Sequence, residues 1–201
     1  MITVGLTGGI GSGKSTISNM IKSKDIPIID ADLISREIYE YEELLEEVSL
    51  HFPEAVKDST VDRKRLGQIV FSNSEKMNIL NCITHRKIEE LILERLEICS
   101  CEKITAVVDA ALLYEAGLNC VVDKVVVVFC NEETQIERVM KRDSISRDEA
   151  LKRINSQMSQ QKKVEMADFV IDNSGTPEDL KKSIDNLITQ IEEWKKEYGG
   201  M

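Results

Sequence analysis

Gly8 to Ser15 reads Gly-Gly-Ile-Gly-Ser-Gly-Lys-Ser, a full match to G-x-x-x-x-G-K-[ST]. The residue types suit one task. Gly9, Gly11 and Gly13 let the backbone curl so that successive N–H groups, with Ser12 between them, point at phosphate oxygens. A helix starting near Lys14 adds the partial positive charge of its N-terminus. Lys14 then reaches the β- and γ-phosphates of a nucleotide. Ser15 ligates Mg²⁺, and Thr16 follows in the same first turn. These eight residues predict a site for Mg²⁺ and ATP.

Two carboxylates, Asp30 and Asp32, follow the apolar run Ile26–Ile29. Phosphoryl transfer to an alcohol needs a group that orients the hydroxyl and accepts its proton, and a carboxylate near the γ-phosphate does both. A cap on the helix beginning at Leu33 accounts for the same residues equally well, and the two roles are compatible. From Arg138 to Lys163 the chain carries eight cations and three acids, a balance of +5 within a chain of net charge −10. Arg138 and Arg142 are four apart, on one helix face. Their guanidinium groups suit a phosphate gaining charge in a transition state. Asp109 ends an apolar run on the ligand side, where it would hold a Mg²⁺-shell water, orient an acceptor or simply close a strand. His85 alone reads as structural.

The elements that must position these groups alternate. Ile2–Thr7, Ile26–Ile29, Ile104–Asp109, Lys124–Phe129 and Phe169–Asp172 are short β-branched runs separated by helical patterns. Val125 to Phe129 is apolar on both faces, as a buried parallel strand requires. A five-stranded parallel α/β sheet with helices on both faces follows. Thr176 before Pro177 predicts the start of the last helix. Between the second and third strands, helical patterns over Leu33–Leu50, Arg65–Phe71 and Glu75–Cys99 form an insertion spanning 33–103. Residues 1–32 and 104–201 form the phosphate-binding core around it.

Several classes of function are excluded. The net charge of −10 disfavours nucleic acid and anionic membrane as partners. No apolar run is long enough for a membrane helix. Five cysteines, with Cys99 and Cys101 lacking a completing metal-ligand pair, fit free thiols in reducing cytoplasm. A GTPase needs Asn-Lys-x-Asp where Cys130-Asn131-Glu132-Glu133 stands. An ATPase motor needs Asp-Glu where Asp109 precedes Ala110. A small-molecule kinase remains, monomeric or a weak homo-oligomer. A nucleoside or nucleoside monophosphate kinase is its nearest variant, and a non-catalytic ATP-binding switch its rival from another class.

Over nearly its whole length the chain resembles the dephospho-coenzyme A kinase family of P-loop kinases. The resemblance is carried by Gly5–Thr16, Ile29-Asp30-Ala31-Asp32, Val61-Asp62-Arg63 with Leu66, Val70-Phe71, and Leu80-Asn81 leading to His85. It continues through Leu112-Leu113-Tyr114-Glu115, Gln135 with Arg138 and Arg142, Arg153 with Gln157, and Ala167-Asp168 with Asn173. The resemblance implies ATP-dependent phosphorylation of the ribose 3′-hydroxyl of dephospho-coenzyme A. It makes Asp32 the general base with Asp30 in support, and places Asn173 near the adenine and Asp62, Arg63 and His85 toward the acceptor. It makes the insertion the binder of the coenzyme A moiety and residues 136–163 a lid. Arg86 and Ala111 stand where the family usually has proline, which relaxes both loops.

Overall fold

The computed structural model describes residues 1–71, 73–102 and 104–199. Ser72, Lys103 at the expected end of the insertion, and Gly200 and Met201 at the end of the expected core lie outside the described residues. In chain order the elements are β1 (Thr3–Gly8), α1 (Lys14–Lys22), β2 (Ile28–Asp30), α2 (Ala31–Glu37), α3 (Glu42–His51), β3 (Val56–Lys57), β4 (Thr60–Val61), α4 (Arg63–Phe71) and α5 (Ser74–Cys101). They continue with β5 (Ala106–Asp109), β6 (Lys124–Phe129), α6 (Glu132–Asp143), α7 (Arg147–Asn155), α8 (Gln160–Glu165), β7 (Phe169–Asp172) and α9 (Pro177–Gly199). The chain divides into two compact units, one of Met1–Asp30 with Arg95–Met201 and one of Ala31–Glu94.

The first unit holds the five-stranded sheet, ordered β2-β5-β1-β6-β7 and parallel throughout. One face is closed by α1 and α9. Ile17 and Ile21 of α1 and Ile184, Leu187, Ile191 and Trp194 of α9 pack on Val4, Leu6, Val107, Val126, Val128 and Ile171. Each such aliphatic burial is worth about 1.5–3 kcal/mol. On the other face Gly5 leaves room for neighbours, since a Cβ there would lie 2.7 Å from Leu113 and 3.1 Å from Val122. Register sets the ligand edge: Asp30 of β2 lies opposite Asp109 of β5, both at strand C-termini.

The second unit is helical, with one small hairpin of β3 and β4. Three local expectations are corrected here. The helix expected over Leu33–Leu50 is two, α2 and α3, because a 3₁₀ turn over Ile38–Glu40 leads to an extended Tyr41 (ψ 126°). Its start is Ala31, so Asp32 sits inside the first turn of α2 and not before it. The strand expected over Ile26–Ile29 is displaced to Ile28–Asp30. Proline has no N–H to give the ladder, and Pro27 contributes only its carbonyl, to Val107.

Candidate active site

Helix α1 differs from its neighbours at its first residue. Asn131 accepts from the Thr134 N–H to cap α6, Ser146 forms a capping box with Glu149 on α7, and Thr176 accepts from the Asp179 N–H on α9. Helix α1 instead has Gly13 at its cap position, with no side-chain cap and no acid in its first turn. Its leading N–H groups are therefore oriented for an external anion. Gly13 has φ 93° and Gly11 φ 80°, both in the left-handed region that side chains disfavour. At Gly13 a Cβ would also run into the Asn173 amide nitrogen.

The loop is held from outside by polar side chains. Gln157 Oε1 accepts from the Ile10 N–H at 2.8 Å, and Gln135 Nε2 donates to the Ile10 carbonyl at 2.6 Å. Gln160 Nε2 donates to Gln135 Oε1 at 2.8 Å and to the Cys130 carbonyl at 2.9 Å. On the other flank the Arg138 guanidinium forks between the carbonyls of Ser12 (3.3 Å) and Asn173 (3.0 Å). Asn173 Nδ2 donates to the Ser12 carbonyl at 2.8 Å. Burial pushes the Cys130 thiol up, so it stays a protonated weak donor, 3.8 Å from the Gly11 carbonyl.

Inside the loop, Lys14 Nζ lies 2.5 Å from Asp109 Oδ1, and both side chains are largely buried. Burial pushes the Asp109 carboxyl up, the Lys14 ammonium and a hydrogen bond from Ser18 draw it down, and Asp30 opposes them. Ser15 and Thr16 are exposed in the first turn of α1. The Ser15 hydroxyl is a hard oxygen donor of the kind Mg²⁺ takes alongside nucleotide phosphates and water. Among the described residues no cluster of three or more His, Cys, Asp or Glu forms a metal site of its own.

The structure brings Gly9, Gly11, Ser12, Gly13, Lys14, Ser15, Thr16, Asp30, Asp109, Arg138 and Asn173 into the first unit around one loop. Arg142 is elsewhere engaged: its guanidinium pairs with Asp143 at 2.7 and 3.0 Å at the C-terminal end of α6. Arg153 joins the same carboxylate, and Arg147 pairs with Glu133. Asp143 is already counted within the +5, and Glu133, outside the stretch, offsets one further cation.

Asp32, Asp62, Arg63 and His85 belong to the second unit. Asp62 Oδ1 accepts from the Arg65 N–H at 2.9 Å, which makes it the cap of α4. Arg63 lies over the Tyr39 ring, 5.5 Å from its centroid. His85 is half-buried on α5, and burial lowers its pKa.

Sequence reasoning missed Gln160 and the pair Glu115–Lys163. Lys163 is fully buried, with Nζ 2.9 and 3.1 Å from the two Glu115 oxygens and 3.0 Å from the Ala111 carbonyl. The sequence offers no signal for it beyond one more cation in a basic stretch.

Comparison with known proteins agrees with this fold. The family model of dephospho-CoA kinase matches residues 2–179. A dephospho-CoA kinase of Oceanobacillus iheyensis is 40% identical over 193 residues, covering 93% of this chain and 96% of the relative. The solved dephospho-CoA kinase from Campylobacter jejuni superposes with TM-score 0.72 at 32% identity, over 99% of this chain and 98% of that one. A crystal structure of a Thermus thermophilus protein superposes with TM-score 0.80 at 32% identity, covering 94% and 97%. With the phosphate loop, the parallel sheet and these matches running over nearly its whole length, the chain belongs to the dephospho-CoA kinase family.

Proposed function

We propose that this protein transfers the terminal phosphate of ATP to the ribose 3′-hydroxyl of dephospho-CoA, giving CoA and ADP, the last step of coenzyme A synthesis. The observation that carries the reading is the family match across residues 2–179, which contains the phosphate loop, Asp30, Asp32 and Arg138 together.

The residue roles are those the family resemblance implies, together with the chemistry of each group. The N–H groups of Gly9–Ser15 and the ammonium of Lys14 take the phosphates of ATP, with Mg²⁺ on Ser15 shielding their charge when bound. Asp32 accepts the proton of the acceptor hydroxyl while Asp30 supports it. Arg138 and Arg142 stabilise charge moving onto the β–γ bridge. Asn173 lies toward the adenine, and Asp109 orients Lys14. Asp62, Arg63 and His85 contact the acceptor. Residues 33–103 bind the coenzyme A moiety, and residues 136–163 act as a lid whose closure excludes water. The enzyme works in the cytoplasm, on small molecules and not on nucleic acid or membrane. No described helix is long and apolar enough to cross a bilayer.

A coupled assay offering ATP with dephospho-CoA, AMP, CMP and a nucleoside tests the acceptor. The expected result is ADP release with dephospho-CoA alone, and a product heavier by one phosphate at the 3′ position. Equal turnover with AMP or CMP would overturn it. Asp32→Asn is expected to keep ATP binding and to cut turnover by orders of magnitude; retained turnover removes Asp32 from the role of base.

A further inference from the structure

The pair of buried Lys163 and partly exposed Glu115 lies outside the phosphate loop, yet every polar contact it makes leads back there. A charged side chain with no exposed surface requires close partners. Lys163 has three acceptors: both oxygens of Glu115 and the Ala111 carbonyl. The same Ala111 carbonyl accepts from Thr7 Oγ1 at 3.2 Å, in the strand that leads into the loop. Glu115 Oε1 also accepts from the Met158 N–H at 3.0 Å. Met158 follows Gln157, whose side chain holds the Ile10 N–H. Tyr114 adds a parallel tie, donating from its hydroxyl to the Met166 carbonyl at 2.9 Å.

These contacts form one mechanical chain. The turn between α7 and α8 has no ladder of its own to fix it. Glu115, after the C-terminus of β5, holds it through the Met158 N–H and is itself held by Lys163 of α8, while Gln160 ties the start of α8 to Cys130 and Gln135; the turn delivers Gln157 to the loop. We infer that Lys163 and Glu115 are positioning residues for ATP: they fix the Met158 backbone so that Gln157 holds the Ile10 amide and presets the phosphate loop. This rests on the kinase reading only in taking the loop's ligand to be ATP. A loop set in advance binds its phosphates without reorganising.

The test uses the protein as wild type, Gln157→Ala, the charge-free pair Lys163→Met with Glu115→Leu, which also removes the acceptor of the Met158 N–H, and all three changes together. Removing both charges leaves no unpaired charge behind, so this variant keeps its fold where loss of Glu115 alone, which strands the buried Lys163 ammonium, risks losing it. Calorimetric titration with ADP, without acceptor, reads the loop itself, and is therefore independent of what the acceptor is.

Gln157→Ala and the charge-free pair are each expected to weaken ADP binding roughly five- to twentyfold, the loss of one or two hydrogen bonds' worth of preset geometry. The KM for dephospho-CoA is expected to stay within about twofold, because the loop touches only the nucleotide. The triple variant is expected to lose no more than the larger of its components, since both act through one contact. Wild-type ADP affinity in the charge-free pair overturns the inference. So do losses that multiply in the triple variant, which would mark a merely structural pair, and tighter binding in Gln157→Ala, which would make Gln157 a competitor of phosphate.

Discussion

The ammonium of Lys14 and the carboxylate of Asp109 meet at 2.5 Å across the mouth of the phosphate loop. The lysine meant for phosphate is therefore already neutralised by a carboxylate at the C-terminal end of β5. The pairing has opposite consequences for binding and for turnover. Asp109 orients Lys14, but its charge repels phosphate. Asp109→Asn is expected to leave Mg²⁺-free ADP binding unchanged or tighter while lowering kcat at least about tenfold, through a misdirected lysine. Lys14→Met is expected to weaken ADP binding and to lower kcat by about a hundredfold or more. Calorimetry beside a coupled assay separates the two. Weaker ADP binding in Asp109→Asn would show that the carboxylate does not compete with phosphate.

Gly13→Ala is a second probe of the loop. The new Cβ meets the Asn173 amide, and the position is at φ 93°. A non-glycine residue there costs about 1–2 kcal/mol, and the Asn173–Ser12 hydrogen bond is displaced with it. Thermal unfolding is expected to move down by several degrees, and ADP binding to become undetectable at millimolar ligand. Asn173→Ala, which removes the obstructing amide, is expected to restore some of the lost stability when combined with Gly13→Ala. Additive losses in that double variant would rule out the collision as the cause.

Arg138 and Arg142 share a helix face but not an environment. Arg138 bridges two backbone carbonyls flanking the loop, which only a forked guanidinium spans. Arg138→Lys is expected to cost about 1–2 kcal/mol of stability together with a fall in kcat. Arg142 pairs with Asp143 on the surface, and Arg142→Ala is expected to leave the melting temperature within error while lowering kcat for the proposed transfer. Equal destabilisation by the two variants would contradict this division of labour.

How much of this was legible before folding depended on the range of the interactions concerned. The strands Lys124–Phe129 and Phe169–Asp172 and the Thr176 cap are readable because composition and spacing decide them locally. The break between α2 and α3 is not: Ile34, Ile38, Leu44 and Val48 are all buried and mask the extended Tyr41, whose ring lies under Lys87 at 5.0 Å. The β3–β4 hairpin escapes because its strands are two residues long and its turn uses Asp58 and Ser59 at positive φ, without glycine. At the site, Gly8–Ser15 announces its ligand through backbone requirements. The glutamines and Lys163 that brace it act across 25 to 147 positions of chain, where no local pattern reaches.

His85 gives the fold a pH dependence whose sign is fixed. Burial lowers its pKa below the ordinary 6.5, so the folded chain resists the proton that the unfolded chain accepts. Between those two values the unfolded state binds more protons, and stability rises with pH. The contribution is fully present above pH 6.5 and is lost as pH falls from there through the lowered folded value. Wild-type protein is expected to melt at a lower temperature at pH 5.5 than at pH 7.5. His85→Gln keeps a polar group of similar reach that cannot titrate, and is expected to narrow that gap. Melting curves of both proteins at the two pH values decide it: an unchanged gap in His85→Gln assigns the dependence to other groups, and a wider one reverses the sign argued here.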